Sequence, residues 1–128
     1  MAKRILQILT TGYRATLEEQ DDQILWLTHS LHNNGAEIDI LLRGTAANYA
    51  VRNQDARGLA FGERQQTQPP DIAFDVRTLI SKGVRVFVLA DDLMARGVRR
   101  NETIEDLGFV TKSELPSLLR SYDQVWQW

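Results

Sequence analysis

The chain contains no cysteine. Disulfides, cysteine metal ligands, thiolate nucleophiles and persulfide carriage on the chain's own sulfur are therefore excluded. Excess charge is also scarce: 15 Lys and Arg against 17 Asp and Glu give a formal net charge of -2, with no general attraction to nucleic acid or anionic lipid. Long apolar runs are missing, since nothing reaches the roughly 18 residues of a membrane span. The opening Met-Ala-Lys-Arg-Ile-Leu-Gln-Ile-Leu is interrupted by Gln7 and Thr10 and lacks the signal-peptide pattern, so a cytoplasmic location is expected. There is no internal repeat, no glycine-rich dinucleotide fingerprint and no phosphate-loop lysine. What remains is an ordinary globular composition, 43% hydrophobic and 25% charged over 128 residues, which suits one domain spanning 1–128.

The stretch from Val84 to Gly97 organises the rest. Val84, Val86 and Val88 alternate with Arg85, Phe87 and Leu89, a pattern that predicts a central strand covered on both faces. Ala90, Asp91 and Asp92 follow where that strand ends, the usual place for a ligand crevice in a parallel sheet. Upstream, Ile5 to Leu9 predicts a buried strand ending in the polar turn Thr10-Thr11-Gly12-Tyr13. Thr16 and Glu19 fit a capping box for a helix over about 17–33, closed by Gly35. Ile38 to Leu42 predicts a second strand ending at Arg43-Gly44, followed by a short helix over 45–53. Residues 54–70 carry little pattern and read either as a functional or assembly loop or as a mobile one, with room for a short element that cannot be placed.

Asp71 is an N-cap for a helix with Ile72, Val76, Leu79 and Ile80 facing inward. Beyond the organising strand, Asp91 or Asp92 can cap a short helix ending at Arg96-Gly97, and Thr103 to Asp106 suggests another ending at Gly108. Phe109-Val110 reads as a brief strand, Ser113 and Glu114 begin the last helix with Pro116 in its first turn, and Val125 to Trp128 forms an edge strand. Periods of 2 and 3.6 alternate about five times, which predicts a three-layer α/β/α fold with a mostly parallel sheet of about five strands.

Several residues compete for a functional role. Asp91 and Asp92 are adjacent and point in different directions, so a converging metal site is not expected. Either one caps a helix while the other faces solvent, or one orients a ligand. His29 and His32 share a helix face without further ligands and read as surface residues. Arg43, with Arg96, Arg99 and Arg100, forms the best anion-binding candidate, set against the plainer reading of solvated arginines or arginines paired across a subunit boundary, and Thr11, Gly12 and Tyr13 belong to the same expected crevice. Trp126 and Trp128 need cover from the domain or from a partner subunit.

Taken in order, these segments resemble the DsrE/DsrF-like family of small α/β proteins, which includes sulfur-relay subunits. The resemblance rests on the opening strand and its polar loop, the long first helix and the second strand ending at Arg43-Gly44. It continues through the Ala47 to Gln54 helix, the strand from Gly83, the helix ending in Arg96-Gly97 and Tyr122-Asp123-Gln124-Val125 before the last strand. Sulfur-transferring members carry a cysteine just beyond the strand that ends here at Leu89, where this sequence has Ala90-Asp91-Asp92. Aspartate cannot hold a sulfane sulfur, because the relay needs a thiolate that attacks and leaves from sulfur. The resemblance thus implies a non-catalytic DsrE-like protein acting through assembly or binding, as a trimeric or hexameric homo-oligomer or beside DsrE-like relatives. No cofactor, metal ion, nucleic acid or membrane is expected. The alternative is a small-molecule or anion-binding protein, or an unrecognised enzyme, with its site at the carboxyl ends of the strands: Thr11, Gly12, Tyr13, Arg43, Ala90, Asp91, Asp92 and Arg96.

Overall fold

Apolar runs of strand length separated by helical crossovers favour parallel pairing, and the computed structural model, which describes residues 3–13, 22–54, 60–67 and 71–128, has that arrangement. In chain order the elements are β1 (Arg4–Leu9), α1 (Gln23–Asn33), β2 (Glu37–Leu42), a 3-10 helix (Gly44–Ala50), β3 (Ala60–Phe61) and β4 (Arg64–Gln65). Then come α2 (Ile72–Ser81), β5 (Val86–Leu89), α3 (Ala90–Ala95), a 3-10 turn (Arg100–Glu102), β6 (Gly108–Val110), a second 3-10 turn (Lys112–Glu114), α4 (Leu115–Arg120) and β7 (Gln124–Gln127). Five strands form one parallel sheet in the order β6-β5-β2-β1-β7, while β3 and β4 make a separate antiparallel hairpin. The register pairs Ile8 with Leu41, Leu41 with Phe87 and Phe87 with Gly108, so one row of side chains crosses three strands and ends at Gly108, where a Cβ would lie 2.6 Å from the Phe87 ring.

Both faces of the sheet are covered, which gives the three-layer α/β/α architecture of a DsrE-like fold. One face packs Leu9, Ile40, Leu42, Val86 and Val88 against Leu25 of α1, Val76 and Leu79 of α2 and Leu93 of α3. The other packs Leu6, Ile8 and Leu41 against Tyr122 and, from α4, Leu115, Leu118 and Leu119. After β5 the chain turns to the first face, and after β6 to the second. These adjacent strands therefore diverge at their carboxyl ends, which places a topological switch point between them.

Local structure departs from the sequence-based expectation in four places. Helix α1 begins at Gln23 with Asp22 as its cap, its carboxylate accepting the Ile24 and Leu25 N–H groups at 2.8 and 3.2 Å. The capping box expected at Thr16 and Glu19 lies outside the described residues. The segment after β2 is a 3-10 helix, four of whose residues, Ala46, Ala47, Tyr49 and Ala50, are buried. Thr103 does not start a helix; it forms a bridge with Val51. Ser113 and Glu114 lie in a 3-10 turn capped by Thr111, whose N–H and hydroxyl both bond Glu114 Oε1 at 3.1 and 2.8 Å, and the last helix itself begins at Leu115. Within the loop of 54–70, the hairpin of β3 and β4 is the element that could not be placed.

A buried polar chain ties β7 to the middle of the fold. Gln7 is fully buried in β1, on the face covered by α1. Its Oε1 accepts the Trp128 indole N–H at 2.9 Å, and its amide nitrogen donates to Thr28 Oγ1, which in turn donates to the Ile24 carbonyl at 2.7 Å. Every member has a partner, which is the condition under which a buried amide stops being a cost. Replacing Trp128 by Phe keeps the ring but strands the Gln7 oxygen. The expected loss in stability is about 1–2 kcal/mol, measured by urea denaturation, and a second change, Gln7→Met, recovers part of it.

Candidate functional site

The carboxyl edge of the sheet is where the loops after β1, β2, β5 and β6 meet. The β1 loop and the β2 loop cross in close contact: Thr45 N–H donates to the Thr10 carbonyl at 3.1 Å and Gly12 N–H to Thr45 Oγ1 at 2.9 Å. Gly44 has φ +58°, and a Cβ there would lie 2.4 Å from the Thr10 carbonyl oxygen, so the crossing needs glycine.

Asp91 and Asp92 stand at the head of α3, yet neither caps it, because the helix begins at Ala90 and the cap residue is Leu89. Asp92 Oδ2 accepts the Gly44 N–H at 2.7 Å and Asp91 Oδ1 accepts the Lys112 N–H at 2.9 Å. One aspartate reaches the end of β2 and the other the end of β6, the two neighbours of β5. The Asp91 bond spans the switch point, so the crevice has a carboxylate of the chain itself in it. Arg96 does not turn toward this edge; its guanidinium donates to the Asp92 carbonyl of its own helix at 3.3 Å. Arg100 lies 4.2 Å over the Phe109 ring. Of the four arginines read together from sequence, Arg96 and Arg100 are thus engaged separately. Arg43 is the exception: it is half-buried at the end of the central strand β2, and its guanidinium has neither hydrogen-bond nor ion-pair partner among the described residues.

Beside this edge lies a network that the sequence did not reveal. Tyr13 has φ +60°, a strained value for a residue with a side chain. It is held by its N–H, which donates to the Tyr49 hydroxyl, by its own hydroxyl on Gln54 Oε1 at 3.0 Å, and by an edge-to-face contact with the Tyr49 ring, centroids 5.0 Å apart. The Tyr49 hydroxyl donates to Asp22 Oδ2. Tyr49 and Asp22 are both buried. Burial first, and the adjacent Asp22 carboxylate second, raise the Tyr49 pKa well above the usual phenol value. Thr11 is exposed and Gly12 packs against Tyr49 and Ala46. No sequence signal points here, since Asp22 and Tyr49 are 27 residues apart and each looks like a surface residue in its own window.

Two open clefts lie at the opposite, amino edge. One of about 340 Å³ is lined by Ile80, Val84, Phe87, Asp106 and Leu107, and one of about 230 Å³ by Arg4, His32, Glu37, Asp39 and Arg85. Asp39 is committed within the fold: it accepts the Arg85 N–H at 2.9 Å, the Arg85 Nε at 3.3 Å and the Tyr122 hydroxyl at 2.6 Å. Among the described residues no three of His, Asp and Glu stand together as a metal site, and no helix is long and apolar enough to cross a membrane.

No protein-family profile matches the chain, and no curated protein does. Solved structures do match. The ychN protein from E. coli superposes with a TM-score of 0.71 at 19% identity over 100% of both chains. A protein of unknown function, MTH1491 from Methanobacterium thermoautotrophicum, superposes with a TM-score of 0.62 at 16% identity over 98% of each chain. At such identities the likeness is one of fold.

Tyr49→Phe removes the donor to a buried carboxylate and the acceptor for Tyr13 N–H, and is expected to cost about 2–3 kcal/mol. The alkaline limb of the stability profile gives the sign. A phenol whose pKa is raised on folding contributes stability that is fully present below its unfolded value of 10.0 and is lost as pH rises toward the folded value. Stability measured by denaturant titration therefore falls above pH 10, and Tyr49→Phe flattens part of that fall.

Proposed function

We propose that this chain is a non-catalytic DsrE-like protein of a single domain that works through assembly, as a homo-oligomer or beside sulfur-handling relatives, and does not carry a persulfide itself. One observation carries the reading. At the position just past β5, where sulfur-transferring members of the resembled family hold their thiol, Asp91 and Asp92 bond the Lys112 and Gly44 backbone N–H groups. A place that serves chemistry in a relay protein serves here to close the sheet. A carboxylate accepting a backbone N–H is neither a sulfur nucleophile nor a sulfur leaving group. The total lack of cysteine excludes a cysteine-dependent sulfurtransferase mechanism anywhere in the chain. The likeness in fold to the ychN protein supports the frame, and the exposure of Val125 and Trp128, at 43% and 38%, supports a surface that takes cover from another subunit.

A second reading rests on Arg43. A half-buried guanidinium without a counter-charge is a costly arrangement that an oxyanion or carboxylate would relieve, so a small anion bound at the end of β2, beside Thr11, Gly12, Tyr13 and Ala90, is the alternative. In that reading Asp91, Asp92 and Arg96 shape the edge and do not touch the ligand.

Native mass spectrometry of protein purified gently from its own host separates the two. A multimer without a small adduct, or one mixed with a cysteine-bearing relative, is the expected result. A clean monomer at micromolar concentration that holds no partner overturns the assembly reading. A stoichiometric small anion that is lost in Arg43→Gln establishes the alternative.

A further inference from the structure

The proposal concerns the outer edge of β7 and rests on the assembly reading. Among the described residues β7 pairs only with β1 and closes one side of the sheet. Edge strands in stable monomers carry Lys, Pro or a bulge that blocks further pairing, whereas β7 reads Gln-Val-Trp-Gln and has none of these. Val125 is 43% exposed, and Gln124 and Gln127 are exposed as well.

The hydrogen bonds say which groups face outward. Trp128 donates its N–H to the Ile8 carbonyl at 2.9 Å and accepts the Thr10 N–H at 3.0 Å, so its N–H and its carbonyl both point to β1. In an extended strand this direction alternates from residue to residue. Trp126 and Gln124 therefore face β1, while Val125 and Gln127 turn their N–H and C=O away from the sheet.

We propose that a second copy of this chain pairs its own β7 antiparallel to this edge across a two-fold axis perpendicular to the sheet, joining two five-stranded sheets into one of ten. Such an axis keeps each sheet face continuous, so facing residues must have the same parity. Centring the pair on Val125 uses the outward groups of that residue and makes two backbone hydrogen bonds. Centring it on Trp126 uses Val125 and Gln127 of both copies and makes four, so this register is the favoured one. It sets Trp126 against Trp126 of the second copy as a non-hydrogen-bonded pair, with Cα atoms about 4.5 Å apart, the close pairing in which cross-strand aromatic contacts are strongest. Val125 then faces Gln127 of the other copy. All facing residues are uncharged, so no like charges meet. The contact is isologous and closes on itself, and it belongs in a dimer or in a hexamer built from two trimers, but not in a cyclic trimer.

The test is subunit counting by native mass spectrometry together with amide hydrogen exchange on the full chain. An even-numbered assembly in which the Val125 and Gln127 amides are protected, despite facing away from β1, is expected. Val125→Pro removes an outward N–H that β1 does not use, which an edge strand tolerates, and is expected to weaken the two-fold contact at least tenfold while thermal unfolding of the subunit stays cooperative. Gln127→Pro does the same from the other free position and serves if the first variant does not fold. An assembly whose size is unchanged in both variants, with Val125 and Gln127 exchanging freely, overturns the β7 interface and leaves the assembly reading standing. A trimer also overturns the interface alone, and a monomer overturns both.

Discussion

β5 is flanked by β2 and β6, and the two aspartates that follow it bind both neighbours. Asp92 takes the first N–H after Arg43, and Asp91 takes the first N–H after Thr111. Parallel strands leave their carboxyl ends as divergent loops whose N–H groups have no ladder partner, so something must satisfy them or the edge stays wet. Here consecutive residues do it, one to each side, because neighbouring positions at the start of a helix point in different directions. With these two bonds made, the loops after three adjacent strands are held in one arrangement. The tight crossing at Gly44 and Thr10 then brings β1 into the same framework.

The same geometry explains how the polar groups at this edge are spent. The switch point is present, and so are carboxylates, a strained tyrosine and a half-buried arginine. Yet most of the polar groups are turned on one another. Asp22, Tyr49 and Tyr13 form a closed chain, Asp91 and Asp92 hold backbone, and Arg96 holds its own helix. Charge that is satisfied internally stabilises a shape, whereas catalysis needs groups left poised for a substrate. Half-buried Arg43 keeps its guanidinium donors unused among the described residues.

How far the sequence could be read follows from the range of the interactions involved. β1, β2 and β5 were legible because a strand buried on both faces is a mostly apolar run, broken after its first residue only by Gln7 in β1 and only by Asp39 in β2. Helix α2 was legible because Asp71 caps it locally, accepting the Phe74 N–H at 3.1 Å. The helix at Gly44–Ala50 was legible as a short helix but not as a 3-10 one, since small buried residues satisfy either period. The roles of Asp91 and Asp92 were not legible: their partners lie 21 and 48 residues away, and no local pattern encodes a bond to a backbone N–H so distant. Gln7 looked like a break in an apolar strand because its partner, Trp128, is 121 residues off.

That last separation has a consequence during synthesis. β1 is made first, and one of its edges must wait for β7, which follows every other strand. As the chain leaves the ribosome, β2 and then β5 and β6 can add in order on one side, while the opposite side of β1 stays unpaired with an unsatisfied amide in its middle. The nascent sheet cannot finish vectorially. That edge of β1 stays open until β7 is made, and an unpaired strand edge is a template on which another chain can pair.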